Sequence, residues 1–144
     1  MKFDDINKAL EEIIDLRNQV YQLNHGDAHL QTIEARLGEL ESELLSNYGT
    51  QLHEVLLDVH DELCPDNDVL SPTNYIASFY HVQSNGSDKK YDVDTEAGVL
   101  VQMDDFPQQP TRLVLVPSPL RVVLNVNHTH REEVWSAANN VAAY

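Results

Sequence analysis

The hydrophobic period of this chain changes once, at Pro65. Before it, apolar residues recur every three to four positions. After it, they gather in short β-branched and aromatic runs separated by turn clusters. A helical block followed by a strand block is the pattern of an α+β domain, not of an alternating α/β one. The 144 residues suffice for one domain with a single core. Residues 1–144 are therefore read as one unit, with 1–64 helical, 74–126 forming a sheet and 129–142 a terminal helix.

In the first stripe, Ile6, Ile13 and Val20 share one heptad position and Ala9, Leu16 and Leu23 the other, while Leu10 and Ile14 widen it. Gly26 is placed to end that helix and Asp27 to N-cap the next. Leu30, Ile33, Leu37, Leu40 and Leu44 make a second stripe, weakened at Gly38 by about 1 kcal/mol relative to Ala. The short polar link between the stripes predicts an antiparallel helical hairpin. Leu52, Val55 or Leu56, Val59 and Leu63 continue the pattern beyond Asn47-Tyr48-Gly49. That step is a heptad stutter, read either as one long helix or as a break into two. Pro65 ends the helix in both readings.

Strands are expected from Tyr75 to Val82, from Lys90 to Asp94, over Val99–Met103, and over the two apolar runs Leu113–Val116 and Val122–Val126. Ser84–Asp88 turns the first hairpin, and Pro117-Ser118-Pro119 the last. The apolar runs call for cover on both faces. Together these give one antiparallel sheet of about five strands. Thr129 and Glu132 match a capping box, followed by Trp135, Ala138 and Ala142 at helical spacing, with Val134, Ala137 and Val141 beside them. A C-terminal helix packed on the sheet is the expectation.

Charge narrows the function classes. Nine Lys and Arg face 24 Asp and Glu, a formal net of −15. Residues 1–64 carry −10 of it. Such a chain repels phosphate backbones and anionic lipid, so neither nucleic acid nor a membrane is an expected partner. No run of 18 apolar residues occurs, and MKFDDINKALEE has no apolar stretch behind a basic start, so a cytoplasmic protein is expected. The single cysteine, Cys64, excludes an internal disulfide and fits a reducing compartment.

No Gly-rich phosphate loop, G-x-S-x-G elbow or C-x-x-C is present, and no cofactor is expected. Two constellations could hold a metal. His60 and Cys64 lie four apart on one helix face, and His128 and His130 form an H-x-H pair. Cys and His are zinc ligand types. Alternatively Glu54, Asp58, Asp61 and Glu62 share one face of the third helical segment. Turned toward Glu12 and Asp15 of the first helix, they could hold Mg²⁺ for a metal-dependent hydrolase. The segment Glu11-Glu12-Ile13-Ile14-Asp15 resembles the acidic motif of the all-α nucleotide pyrophosphohydrolases. It departs from them in having Val55 three residues before Asp58. His81 and Asp92 could also face each other across the first hairpin.

In size and charge the chain is similar to the small acidic secretion chaperones, which begin with one helix where this chain begins with two or three. The resulting expectation is a non-enzymatic adaptor or chaperone-like module, homodimeric, that binds a basic protein. Glu34, Glu39, Glu41 and Glu43 are expected to face water and steer that partner. A metal-dependent hydrolase and an acidic decoy that mimics nucleic acid are the alternatives.

Overall fold

Two helices occupy the first half of the protein, whose structure, a computed structural model, describes residues 3–23, 26–127 and 130–140. Helix α1 spans Phe3–Gln22 and α2 spans Leu30–Leu63. Arg17 meets Glu41 and the Asp5–Glu12 stretch lies beside Leu40–Tyr48, so the pair runs antiparallel. Helix α2 is a single helix of 34 residues, about 50 Å long. It passes through Tyr48-Gly49-Thr50 unbroken because buried Leu44, Leu52, Val55 and Leu56 hold it on both sides. Their burial outweighs the ~1 kcal/mol cost of a helical glycine. Asp27 does not cap α2 itself. Its Oδ1 accepts the His29 N–H at 2.8 Å in a turn ahead of the helix, and His29 is the N-cap residue.

The segment after Cys64 is not a strand from Tyr75 to Val82. Pro72–Tyr75 forms a 3₁₀ turn and irregular backbone follows to Tyr80. Side chains from α1 satisfy this backbone where a neighbouring strand would otherwise be needed. Arg17 donates to the carbonyls of Ile76 (2.8 Å), Ala77 and Thr73. Asn18 both donates to the Tyr80 carbonyl (3.0 Å) and accepts its N–H (2.9 Å).

The strands form two sheets. Strands β1 (His81–Asn85) and β2 (Asp88–Asp92) make an exposed hairpin turned at Gly86, whose φ of 65° suits glycine. Strands β3 (Val99–Val101), β4 (Thr111–Val116), β5 (Arg121–Val126) and β6 (His130–Ser136) form an antiparallel meander in that order. Strands β4 and β5 coincide with the two apolar runs and are buried on both faces. Opposed residues share a face, so Leu113 lies with Leu124, and Val122 with Trp135. Trp135 meets Phe3 of α1 edge-to-face at 5.2 Å, which places the helices on that side. The other face is covered by the end of β2 and the stretch after it: Asn125 Nδ2 donates to the carbonyls of Asp94 and Ala97, and Arg121 to that of Tyr91.

The architecture thus corrects two further expectations. One sheet of about five strands is replaced by sheets of two and four. The C-terminal helix over 129–142 is not there either. His130–Ser136 is a strand, and only the single turn Ala137–Asn140 (α3) follows, while 141–142 and Thr129 lie outside the described residues. The physical reason is β5. Flanked only by β4, it would leave a buried row of N–H and C=O groups unpaired, and β6 supplies their partners. A register shift opposite Val122/Val123 leaves Val134 as the extra residue and brings Trp135 onto the helix side.

Candidate functional site

His60 and Cys64 do lie on one face at the end of α2, both buried. The imidazole is already engaged at both nitrogens. Asn67 O can only accept, so Nδ1 carries the proton and donates to it at 3.0 Å. Nε2 faces the Tyr75 hydroxyl at 2.9 Å. That hydroxyl accepts the Leu70 N–H at 3.1 Å, which leaves its own proton for His60. Asn67 then continues the network by pairing with both backbone groups of Gln102, as a neighbouring strand would. The result is a polar knot that fastens the end of α2 to the loop and to the sheet edge. Burial pushes the Cys64 thiol and the Tyr75 phenol up from their ordinary pKa values.

The other candidates do not join them. His130 is exposed at the start of β6, 3.5 Å from Glu132, and His128 lies outside the described residues. Glu12 and Asp15 are exposed on α1, as are Glu54, Asp58, Asp61 and Glu62 on α2. The acidic face of α2 turns to water because the opposite face buries Leu52, Val55, Leu56 and Val59. Among the described residues no group of three or more His, Cys, Asp or Glu side chains comes together as a metal site. His81 and Asp92 are opposed in register, but their side chains take other partners. His81 Nε2 pairs with Asp94 Oδ1 at 2.9 Å, and Asp92 pairs with Arg131. Nor do all the glutamates of the second stripe face water. Glu41 is turned inward to Arg17 at 3.1 Å, while Glu39 pairs with Arg36 on the surface.

Several polar residues that no sequence motif marks carry the contacts between layers. Asn7 accepts the Ser118 N–H at 2.6 Å, and Ser118 Oγ donates to Glu11 at 2.7 Å. Arg131 donates to Asn125, Asp92 and the Val93 carbonyl, tying β6 to the hairpin. The Tyr80 hydroxyl donates to Leu115 O at 2.6 Å and accepts the Ala77 N–H, and burial raises its pKa well above the usual value. Tyr91 is buried, and its hydroxyl lies beside the Glu11 carboxylate but outside good hydrogen-bond geometry. Burial, and then the charges of Glu11 and Asp15, push its pKa up to about 12. Desolvation lowers that of Arg121. The long spacing of the bonds from α1 to the loop and the sheet, 56 to 111 residues, hides them from any local reading.

No family model, curated protein or solved structure matches the chain. No helix among the described residues is long and apolar enough to cross a membrane.

Among the described residues, two surface features bear on function. One is the far end of the α1–α2 hairpin, where Leu16, Val20, Leu23, Leu30, Ile33, Leu37 and Leu40 are each only half-buried. The other is a cavity of about 390 Å³ between the end of α1 and the turn after β2, lined by Tyr21, Ser78, Phe79, Asp94, Glu96 and Gly98 among others.

Proposed function

We propose that this chain is a non-enzymatic, cytoplasmic protein-binding module of the adaptor or chaperone-like kind, and that it works as a homodimer joined through the α1–α2 hairpin. The observation that carries this is the half-burial of the hairpin's own seam. Where the same two helices lie over the sheet, Ile6, Leu10, Ile13, Ile14 and Leu44 are buried. Toward the tip, Val20, Leu30, Ile33 and Leu37 are not. Two helices alone cannot cover apolar stripes this wide. A second hairpin related by a two-fold axis covers both seams at once, in a four-helix arrangement.

Charge is compatible with that contact. Between residues 16 and 41, Arg17 and Arg36 offset half of Asp27, Glu34, Glu39 and Glu41. The second half of α2, residues 42–63, has five acidic residues and no Lys or Arg, and Glu54, Asp58, Asp61 and Glu62 are exposed there. Repulsion between copies is therefore weak at the tip, and the strongest field is left for a basic partner. The non-enzymatic reading is supported by the engagement of His60 in the polar knot and by the solvent-facing helix carboxylates. Free, buried Cys64 agrees with a reducing compartment.

Light scattering on the purified protein tests the dimer. The expected mass is twice 16.3 kDa. Leu37→Glu is expected to give the monomer mass with an unchanged far-UV spectrum. A wild-type monomer at tens of micromolar would overturn the reading.

A further inference from the structure

The cavity beside the end of α1 combines two features suited to one kind of ligand: a tilted pair of aromatic rings and carboxylates. Tyr21 is 64% exposed, and its ring lies 4.9 Å from that of Phe79 at an angle of 34°. Phe79 is held from behind by His81, edge-on at 5.1 Å. Asp94 and Glu96, on the turn after β2, line the same cavity, and none of its lining residues among those described is a Lys or Arg. Asp94 is held in place through Oδ1, which pairs with His81. The floor is rigid. Gly98, at φ 111°, sits so close to the Leu113 carbonyl that a Cβ there would collide with it. Arg17 holds the Ile76 and Ala77 carbonyls of the opposite wall.

We propose that this cavity binds the guanidinium group of an arginine presented by a protein partner. Ring faces attract a cation lying over them, and a planar guanidinium both stacks on an aromatic ring and hydrogen-bonds a carboxylate edge-on. An apolar ligand here would strip water from Asp94 without replacing its hydrogen bonds. A net charge of −15 draws a basic partner toward the surface before contact. This inference rests on the protein-binding reading only for the source of the arginine. It does not depend on the dimer.

The test titrates the ¹⁵N-labelled full chain with acetyl-Gly-Arg-Gly-amide and with the same peptide carrying citrulline, the neutral isostere. The arginine peptide is expected to move the amide signals of Tyr21, Ser78, Phe79 and Gly98 in a saturable way, with weaker binding at higher salt. Citrulline is expected to bind at least several-fold more weakly. Tyr21→Ala and Asp94→Asn, both at exposed positions, are each expected to weaken arginine binding about two- to fivefold. Tyr21→Phe is expected to keep it. An equal response to citrulline, shifts confined to other residues, or indifference to both weakening variants overturns the proposal. Arginine binding by a protein of monomer mass would keep the cavity and remove the dimer. A dimer that ignores arginine would do the reverse.

Discussion

At the scale of the residue, the most informative positions are buried polar groups, because each must find its partners. His60 reads in the sequence as one half of a metal pair with Cys64, four residues on. In the fold it joins Asn67 and Tyr75, and its role is to hold the loop to the end of α2. His60→Ala therefore leaves a cavity, an unpaired Asn67 carbonyl and a Tyr75 hydroxyl without its acceptor. The expected cost is about 2–4 kcal/mol in urea unfolding. Tyr91 behaves in the opposite way. Its hydroxyl sits beside Glu11 without completing a well-formed hydrogen bond, so Tyr91→Phe is expected to be neutral or stabilising by up to ~1 kcal/mol at pH 7. The same residue sets an alkaline limit. Burial favours the neutral phenol, with the pKa raised to about 12 in the fold against 10.0 for the free group. Its contribution is thus fully present below pH 10 and is lost as pH rises through 12. Stability is therefore expected to fall as pH rises across that window. Urea unfolding in steps from pH 9 to 12 should show a shallower decline in Tyr91→Phe than in the wild type. Buried Tyr80, also raised, leaves a residual slope in the variant.

At the scale of the element, α2 and β6 show how packing overrules local signals in both directions. Tyr48-Gly49-Thr50 has the composition of a helix stop, yet the helix continues, because Leu44 and Leu52 are buried on the same side of it. At Gly38, by contrast, nothing comes within 4 Å of the place an added methyl group would take. Gly38→Ala is therefore expected to stabilise the protein by about 1 kcal/mol, seen as a higher urea midpoint with an unchanged slope. In β6, the spacing of Trp135, Ala138 and Ala142 fits a helix as well as Val134–Trp135 fits a strand. Strand pairing prevails because β5 needs it, and from the strand Trp135 packs against Phe3. The exposed His130, Arg131, Glu132 and Glu133 then place charge along an edge strand, a pattern that discourages further strand addition.

At the scale of the whole molecule, charge and the hairpin dominate. A net of −15 acts against the compact state through self-repulsion. Raising salt shortens the screening length from about 30 Å at 0.01 M to about 8 Å at 0.15 M. The melting temperature is therefore expected to rise by a few degrees over that range in scanning calorimetry. A fall would mean that the Arg17–Glu41 and Arg131–Asp92 pairs outweigh the repulsion. The measurement belongs at one protein concentration, since a dimer also stabilises by mass action.

The sequence by itself determines the helical half, the site of its end at Pro65 and the two central strands. Each rests on a local cause: the three-to-four spacing of Ile6 through Leu63, the ring of Pro65, and apolar runs too continuous for a half-exposed strand. Tertiary structure alone decides that α2 is continuous, that 130–136 is a strand, and that 75–80 is held by side chains of α1 instead of a neighbouring strand. It also decides the fate of the candidate sites. Whether His60 meets a metal or a tyrosine, and whether Tyr21 stands alone or beside Phe79 and Asp94, depends on contacts between residues far apart in the chain. Spacing along a helix reports which face a side chain occupies. What lies opposite that face is set only when the layers close.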